Sequence, residues 1–560
     1  MKLEVEGLRC KLQNKYLTIA FSESAKAESL IFNGTELLEY LDGAENDPDK
    51  KNSFYCDYHT EQGVCNMKPD TLKVIDDGEY VIHVAYMDTT SPLKLEYHII
   101  LEADDTAVYG YVVAENDNDN IMLDELRTVY RLDSKLFQVS YTNERQGIQP
   151  RAQYLAQNKR LQDETFWLED GSKYSNSHVY SKYDYAGYFS ANSFWGQYGE
   201  QYGAWFIPID KSGYPSGPLK QELMVHYDGI ILNYMTSEHF GSGKFEVPKK
   251  WKKMYGPWCM YFNSGKNKIE DADNRAEREI QKLPHRWIGV ESEIYSRQLC
   301  CVSGTLTLKE AIKEPIDGWT IVLTDQQGDY YKQKSGRIYY SNTKSEGKFK
   351  IEKIQPGTYW MYVYVRGSSI SDEFELGKFM ISGNQDLGII CVENNMQSVI
   401  WKIGGYSKTT CPFKFSDQLR NYIWKELVPS RFRYCVGQEE EWYYLQNSNG
   451  SWEIEFLRPL EYAKKYCLTI CLAGATQKSM GENTGVGFYI YLNNMLISRN
   501  QFENDKSAYR SSVTNGISHK VMIHIKEEQL KDLNVIRLET DGYIMYDMLK
   551  LEAEGGREDE

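Results

Sequence analysis

Short runs of hydrophobic residues, many of them alternating with polar ones, extend over nearly the whole chain. Between residues 80 and 133 the runs are YVIHVAY, KLEYHIILE, AVYGYVVAE and LRTVYRLD, and Asp, Asn or Gly residues separate them. A period of two predicts half-buried β-strands. Because the same pattern continues through residues 180–263, the sequence predicts a large antiparallel β-sandwich over residues 1–293. The clearest helix signal is DADNRAEREIQKL at residues 271–283, which begins with acidic residues and lacks glycine.

Two smaller β-rich units are predicted after the first one, so the predicted fold class is all-β. Residues 294–393 contain the strand-like segments GWTIVLTD and GTYWMYVYVRG, which favour a small two-sheet sandwich of fibronectin III or prealbumin type. Residues 394–560 contain SWEIEFL, YCLTICLAGA and NVIRLET at regular spacing, which favours a jelly roll. Within this third unit, the pair Asn493-Asn494 predicts a hairpin turn. The last residues, GGREDE, predict a solvated tail.

Charge and hydropathy exclude some classes of function. The formal net charge is −16 and no basic run occurs, which argues against nucleic-acid binding, because that binding depends on neutralising phosphates. No apolar stretch reaches the length of about 18 residues that a membrane span needs. The N-terminal segment MKLEVEGLRCKLQNKYLTIAF carries charges throughout and does not have the pattern of a signal peptide. We therefore expect a cytoplasmic protein if the sequence is complete, and a secreted one if an export segment has been removed.

The cysteines point to free thiols. There are 11 of them, and none forms a C-x-x-C pair. Cys56 with Cys65, or Cys467 with Cys471, could close a loop, but neither spacing identifies a disulfide or a metal site. Buried thiols in a reducing compartment are the simpler interpretation.

Two arginines are the first candidates for substrate binding. Arg127 and Arg131 lie in the strand-like segment LDELRTVYRLD, so their side chains should project from the same face. Two guanidinium groups on one face repel each other unless an anion lies between them, and a substrate carboxylate would serve as that anion. The alternative is a solvated face on which the arginines pair with Asp124, Glu125 or Asp133.

A lysine and a histidine are candidates for proton transfer. Lys182 lies among tyrosines in YSKYDYAGYF, where burial and nearby cations would lower the pKa of its amine. His239 lies in a glycine-rich segment, SEHFGSG, and a histidine there can donate a proton near neutral pH. His226, in LMVHYDG, is the competing histidine, although its position in a strand favours a core or supporting role. The alternative for Lys182 is a lysine whose aliphatic part packs along aromatic strand residues.

Carboxylates leave a second chemistry open. Glu222, Asp210 and Asp184 could supply the acid and base of a glycoside hydrolase, but their spacing does not select any pair. The abundance of tyrosine, 44 residues against 20 phenylalanines, suits binding of hydroxylated rings and equally suits β-strands.

Several long segments resemble the rhamnogalacturonan lyases of polysaccharide lyase family 4, and the resemblance covers essentially the whole chain. In the first unit the matching segments are LDELRTVYRLD, VYSKYDYAGYF, SGPLKQELMVHYDGIILNYMTSEHFGSG and WKKMYGPWCMYFN. Later segments are PGTYWMYVYVRG, DLGIICVENNMQSVIWKIG, FRYCVGQEEEWYYLQ, IYLNNMLISRN and MYDMLKLE. The resemblance implies a galactose-mutarotase-like supersandwich, then a fibronectin III-like domain, then a jelly-roll domain similar to carbohydrate-binding modules.

The resemblance also implies a reaction and its residues. The reaction is β-elimination at the bond between rhamnose and O4 of galacturonate in rhamnogalacturonan I. Carried over by motif, Lys182 is the base, His239 the acid, Arg127 and Arg131 the carboxylate-binding pair, and Tyr234 a substrate-facing residue. The resemblance implies no catalytic metal or other cofactor, is compatible with a structural calcium ion, and suggests a monomer that acts on polysaccharide or oligosaccharide. A non-catalytic carbohydrate-binding protein and a two-carboxylate hydrolase remain the alternatives, and endo or exo action stays open.

Overall fold

A computed structural model describes residues 1–560 with the following exceptions: 39–51, 119–120, 171–172, 175–177, 290–293, 310–316, 368–369, 371–372, 394–397, 412, 417–426, 461–462, 480, 482–483, 511–513 and 555–560. The predicted tail GGREDE therefore lies outside the described residues. The predicted boundaries after residues 293 and 393 adjoin undescribed segments and stay predictions.

The first unit is built of antiparallel strands. Its strands are β1 Lys2–Glu6, β2 Arg9–Gln13, β3 Leu17–Phe21, β4 Ala27–Phe32, β5 Thr35–Glu36, β6 Tyr55–Thr60, β7 Gly63–Asn66, β8 Thr71–Asp77, β9 Val81–Asp88, β10 Lys94–Glu102, β11 Ala107–Asn116, β12 Ile121–Leu123, β13 Glu125–Arg131, β14 Val139–Tyr141, β15 Gln146–Ile148, β16 Lys159–Gln162, β17 Thr165–Trp167, β18 Val179–Ser181, β19 Ala186–Tyr188, β20 Trp195–Tyr198, β21 Tyr202–Pro208, β22 Gln221–Leu223, β23 Val225–His226, β24 Ile230–Ser237, β25 Phe245–Val247 and β26 Trp251–Ser264. The α-helices are α1 Ala152–Leu155 and α2 Lys268–Gln281.

Two sheets of this unit define the sandwich. One has the strand order β15-β14-β20-β21-β26-β11-β10-β9-β8, and the other has the order β23-β24-β13-β6-β7. They pack face to face through one apolar core, which includes Val112 and Trp258 from the first sheet and Leu126 and Tyr130 from the second. Residues of β13 that alternate with Leu126 and Tyr130 must point away from this core. The five-stranded sheet therefore presents a second face, and the candidate site is built on it.

The predicted helix is present, with shifted ends. The sequence predicts residues 271–283, whereas α2 spans Lys268–Gln281. Glu270 and Asp271 lie in its first turn, where carboxylates interact favourably with the helix dipole. Ala272 and Ala276 are buried against the nine-stranded sheet, as the helical spacing of the pattern predicts.

The second and third units are also β-sandwiches. The strands of the second unit are β27 Cys300–Leu308, β28 Thr320–Thr324, β29 Ile338–Asn342, β30 Lys348–Ile354, β31 Gly357–Tyr364, β32 Phe374–Ile381 and β33 Gln385–Val392. Those of the third unit are β34 Ser398–Gly404, β35 Arg431–Cys435, β36 Leu445–Gln446, β37 Ser451–Leu457, β38 Lys465–Thr476, β39 Val486–Leu492, β40 Met495–Phe502, β41 His519–Lys526, β42 Leu533–Thr540 and β43 Tyr543–Glu554. The all-β fold class is thereby confirmed.

Each of these two units encloses its own core between two sheets. In the second unit, β30-β27-β33 and β29-β28-β31-β32 pack around residues that include Trp319 and Met361. In the third unit, β34-β43-β38-β41 and β35-β37-β42-β39-β40 pack around a core that contains Trp452. The predicted hairpin turn at Asn493-Asn494 joins β39 to β40, with φ angles of 51° and 70°.

The predictions on thiols can also be checked. All eleven cysteines are free. The expectation that these thiols are buried holds for six of them, whereas Cys391 and Cys411 are exposed. Within the described part of the chain, no helix combines the length and apolar character that crossing a membrane requires.

Candidate active site

Strand β13 is the centre of the candidate site. Arg127 lies opposite Tyr234 of β24 on one side and opposite Asp57 of β6 on the other. Glu125, Arg127 and Arg131 share the face that points away from the sandwich core, because side chains alternate along a strand. The expectation that both arginines project from one face is thus met by the register of the sheet.

Arg127 is held by protein carboxylates. Its Nε donates to Asp57 Oδ1 at 2.8 Å and its second terminal nitrogen donates to Asp57 Oδ2 at 3.1 Å, which makes a bidentate pair. Its other terminal nitrogen donates to the Tyr234 hydroxyl at 3.2 Å and to Glu125 at 3.4 Å. The pairing with Glu125 was one of the expected alternatives, whereas Asp57 was not identified from the sequence. Asp57 is only 2 % exposed, so this ion pair belongs to the supporting structure of the sheet.

Arg131 has a different environment. One terminal nitrogen donates to the Tyr55 hydroxyl at 2.8 Å, and the guanidinium lies 5.8 Å from the centre of the Tyr55 ring. Its Nε is buried without a hydrogen-bond partner among the described residues. No carboxylate within the described part of the chain forms an ion pair with it, so the expected pairing with Asp133 is not observed there. Arg131 is therefore the arginine of the pair whose charge is more available to an anionic ligand.

Lys182 begins a single 3-10 turn, Lys182–Tyr185. Ser181 caps this turn, since its hydroxyl accepts the backbone N–H of Tyr183 at 3.3 Å. The amine of Lys182 lies 5.3 Å from the centre of the Tyr183 ring. Burial lowers the pKa of Lys182 below its ordinary value, against Glu164 and other carboxylates that act in the opposite direction. An amine with a lowered pKa is the form of lysine that can act as a base.

His239 lies between two carboxylates. Its Nδ1 is 2.8 Å from Glu222 Oε1, and its Nε2 is 3.1 Å from Glu125 Oε1. Burial by itself would lower the pKa of His239, but Glu125 and Glu222 outweigh it, and the pKa lies above the ordinary value. The raised pKa favours the protonated imidazolium, which is the form that a proton donor requires.

A buried charge cluster holds Glu222 in place. Its Oε2 accepts from Lys220 Nζ at 2.9 Å and from the Ser237 hydroxyl at 2.5 Å. Burial alone would raise the pKa of Glu222, but Lys220 and His239 outweigh it and lower the pKa to about 2. Glu222 is thus ionised at neutral pH. It orients the ring of His239 and favours the protonated form of that ring.

Lys182 and His239 come together at the ring of Tyr183. The Tyr183 ring centre is 5.9 Å from that of His239, and the Lys182 amine also lies beside this ring. Tyr234 packs edge-on against His239, with ring centres 4.8 Å apart, and links the histidine to Arg127. These contacts connect Lys182, His239, Tyr234 and Arg127, and Arg131 projects from the same face of β13 as Arg127.

His226 belongs to the same electrostatic neighbourhood. In the sheet it pairs with Ile230, which in turn lies opposite Arg131. Burial lowers the pKa of His226 well below its ordinary value, and Lys182, Arg127 and Arg131 lower it further. Its Nδ1 lies 2.9 Å from the carbonyl oxygen of Tyr227. A lowered pKa favours the neutral form of His226 and makes it less suited than His239 to donate a proton.

The three carboxylates considered for hydrolysis do not form a pair. Asp184 is paired with Arg145 at 2.9 Å, whereas Asp210 lies 3.7 Å from Arg337 of the second unit. Glu222 is occupied by Lys220 and His239. Each carboxylate thus has its own cation, and this arrangement does not supply the facing acid and base of a glycoside hydrolase.

Sequence reasoning missed two groups beside Lys182. Asp163, at the end of the β16 segment, accepts a hydrogen bond from the Tyr183 hydroxyl at 3.0 Å. Arg510, from the third unit, donates to Asp163 at 2.8 Å. The role of each residue depends on contacts between distant parts of the chain, so the local pattern gives little indication of it. The polar residues of the NDKSAYR segment, Asn504–Arg510, between two predicted strands were the available signal.

The groups described so far suit one class of enzyme, a lyase that acts on carboxylated sugars. An amine with a lowered pKa, a histidine with a raised pKa and a guanidinium without a carboxylate partner among the described residues would suit elimination from a carboxylated sugar. Known proteins with similar sequences are polysaccharide lyases as well. Residues 315–373 match the model of domain II of polysaccharide lyase family 4, and residues 399–551 match the model of its domain III.

Individual relatives extend the comparison to the first unit. The chain is 34 % identical to the rhamnogalacturonate lyase of Dickeya dadantii, over 98 % of this chain and 94 % of that protein. It is 25 % identical to rhamnogalacturonate lyase B of Emericella nidulans, over 65 % of this chain and 63 % of that protein. The chain belongs to polysaccharide lyase family 4. A galactose mutarotase-related enzyme from Lactobacillus acidophilus aligns with a TM-score of 0.24 at 9 % identity, over 47 % of this chain and 99 % of that one, a likeness too small to carry an argument.

Proposed function

We propose that this protein is a rhamnogalacturonan lyase that cleaves the bond between rhamnose and O4 of galacturonate by β-elimination. Family membership and the relatives named above support the substrate class. The observation that carries the mechanism is the placement of Lys182 and His239 at one tyrosine ring with their pKa values shifted in opposite directions. One group is thereby suited to take a proton and the other to give one.

The elimination follows from these two groups. Lys182, as the neutral amine, removes the proton from C5 of galacturonate. The electron pair of the broken C5–H bond forms the C4–C5 double bond, and the bond from C4 to the glycosidic oxygen breaks. His239 transfers its proton to that oxygen, which leaves as the hydroxyl of rhamnose. The products are a sugar with a reducing rhamnose end and one with a 4,5-unsaturated uronate.

The arginines make the C5 proton acidic enough to remove. Negative charge develops on the carboxylate beside C5 as the proton leaves, and a guanidinium stabilises it there. We assign the direct contact to Arg131, since no carboxylate of the described chain neutralises it. Arg127 is already paired with Asp57. It contributes further positive charge near the site and holds Glu125 by a hydrogen bond. The guanidinium groups thus supply the charge neutralisation, and the scheme calls for no metal ion.

Tyr234 serves as a positioning residue in this proposal. It is 2 % exposed, and its hydroxyl accepts from Arg127. Its ring packs edge-on against His239. We therefore assign to Tyr234 the alignment of the acid with the arginine rather than direct contact with sugar.

Incubation with rhamnogalacturonan I tests the proposed function. A lyase creates one new ultraviolet-absorbing double bond for each reducing end, and we expect the two signals to rise together. New reducing ends without new absorbance would identify a hydrolase. If neither signal rises, the protein binds the polysaccharide without cleaving it. Product lengths followed in the same incubation distinguish endo from exo action.

The two arginines are expected to respond differently to removal. In Arg131→Ala, loss of a charge-assisted contact to the uronate should raise KM by about tenfold or more. In Arg127→Ala, the buried carboxylate of Asp57 loses its partner, and we expect a loss of stability of about 3 kcal/mol. Steady-state kinetics and thermal unfolding of both variants provide the measurements.

Arg131→Lys is the matched control, because it keeps the charge but loses the planar fork that fits a carboxylate. Its KM should lie between those of the unmodified protein and Arg131→Ala. If Arg131→Ala binds substrate as well as the unmodified protein does, the assignment of Arg131 is wrong.

A further inference from the structure

The third unit reaches the catalytic residues through one loop. This β40–β41 loop comprises residues 503–518, of which 511–513 lie outside the described part. Arg510 of the loop donates through Nε to Asp163 Oδ2 at 2.8 Å, and its guanidinium lies 5.5 Å from the centre of the Tyr183 ring. Tyr183 is the ring shared by Lys182 and His239. A guanidinium from a separate sandwich thus adjoins the base of the first unit.

The β40–β41 loop is held firmly by its own unit. Asp505 is buried and accepts hydrogen bonds from the Ser507 backbone at 2.9 Å and the Ile517 backbone at 3.1 Å. It also accepts from the hydroxyl of Thr476 at 2.6 Å and from the backbone of Ala475 at 2.8 Å. These bonds tie both halves of the loop to the end of β38. Arg510 is therefore presented by a rigid support rather than by a free surface segment.

The loop is equally well attached to the first unit. Lys506 pairs with Glu238 at 2.7 Å, and the carbonyl oxygen of Tyr509 accepts from Gln162 at 2.6 Å. Gly241 has a φ angle of 80°, and a Cβ there would lie 2.6 Å from the backbone of the loop at Gly516. The glycine two residues after His239 thus permits the two backbones to approach closely.

Arg510 has features of a functional residue. Its side chain is only 13 % exposed, and one terminal nitrogen is buried without a hydrogen-bond partner in the described structure. Burial of a charged group with an unsatisfied donor is unfavourable, so a purely structural role would be served better by an apolar residue. We infer that Arg510 is a positioning residue of the active site that acts on Lys182 through Tyr183 and Asp163.

Electrostatics supports this inference, which rests on the proposed function. Burial lowers the pKa of Lys182, and Arg510 lowers it further, whereas Glu164, Glu125 and Asp163 raise it. The charged and titratable groups that act on Lys182 come from four places: Asp163 and Glu164 between β16 and β17, Glu125 on β13, His226 on β23, and Arg510 on the third unit. Arg510 also neutralises Asp163, which would otherwise favour the charged amine. The third unit in this way helps keep the base unprotonated.

The sign of the effect follows from these charges. Without Arg510, a cation near Lys182 disappears and the anion Asp163 loses its partner. Both changes favour the ammonium form, so the pKa of Lys182 should rise. The fraction of neutral amine then falls at neutral pH and recovers as the pH increases.

The test is the pH profile of kcat/KM for Arg510→Ala in the full chain, with rhamnogalacturonan I as substrate. We expect a decrease on the order of tenfold at neutral pH, with the loss becoming smaller toward alkaline pH. Arg510→Lys retains the positive charge and should restore much of the activity at neutral pH. An Arg510→Ala profile that falls by the same factor at every pH, or does not fall, overturns the inference.

Lys506→Ala is the matched control. It removes an ion pair between the same loop and the first unit, but Lys506 does not adjoin Lys182. We expect a pH profile with unchanged shape, and thermal unfolding of both variants shows how much each contact stabilises the interface. If Lys506→Ala shifts the profile as Arg510→Ala does, a general effect of loop docking replaces the specific role of Arg510. Absence of unsaturated product from the unmodified protein would instead reject the proposed function itself.

Discussion

Replacement of Lys182 with alanine is expected to lower kcat/KM by at least about a hundredfold, the usual effect of losing a general base. Two of the carboxylates near Lys182, Glu125 and Asp163, are poor replacements for it. Glu125 and Asp163 have pKa values below the ordinary range, because cations outweigh the effect of their burial, and a weakly basic carboxylate is a poor acceptor for a carbon-bound proton. Initial rates of formation of unsaturated uronate measure the effect.

Lys182→Arg separates basicity from charge. Arginine keeps the positive charge and much of the length, but it stays protonated at every accessible pH. This variant should be as inactive as Lys182→Ala. Lys244→Ala serves as the matched control, because this lysine of the same unit is already paired with Glu61 and Asp124. Substantial activity in Lys182→Arg would show that the base is another group.

The two catalytic groups also set the pH dependence. The pKa of Lys182 is lowered from 10.5, so activity should rise with pH as its amine loses a proton. The pKa of His239 is raised from 6.5, so activity should fall at higher pH as the imidazolium loses its proton. The two shifts bring the titrations closer together and enlarge the fraction of enzyme in which one group is neutral and the other protonated.

The sequence predicts the parts of this site that depend on local pattern. The alternation in LDELRTVYRLD places Arg127 and Arg131 on one face, and the register of β13 bears this out. The position of Lys182 among tyrosines indicates an amine whose charge is disfavoured. Tertiary structure then decides which of those tyrosines matters, and it selects Tyr183.

The remaining parts depend on pairing between distant segments. Asp57 meets Arg127 across 70 residues of sequence, because β6 and β13 are neighbours in the sheet. Arg510 meets Asp163 across 347 residues, because a loop of the third unit docks on the first. A pattern of period two specifies which face a residue occupies, but it does not specify which strand or loop lies beside it. Partners of charged groups are therefore the information that the sequence alone could not supply.

Replacement of His239 with alanine is the second change expected to cost at least about a hundredfold in rate. The glycosidic oxygen leaves as a strongly basic alkoxide unless a proton reaches it during bond cleavage. Glu222 and Glu125 flank the imidazole of His239 at the ring of Tyr183, beside which the amine of Lys182 also lies. The competing His226 has a pKa well below its ordinary value, which disfavours its protonated form. The same assay of unsaturated product measures the loss, and thermal unfolding shows whether the variant remains folded.

The role of Glu222 gives this assignment an independent test. Glu222→Gln alone would leave Lys220 buried without a partner, so the double variant Glu222→Gln with Lys220→Met removes the ion pair as a unit. Loss of one anion beside the imidazolium lowers the pKa of His239, so activity relative to the unmodified protein should decrease progressively as the pH rises. At acid pH, where His239 is protonated in both proteins, the two activities should converge. If the relative activity of this variant does not change with pH, or His239→Ala retains more than about a tenth of the activity, proton donation must come from a different group.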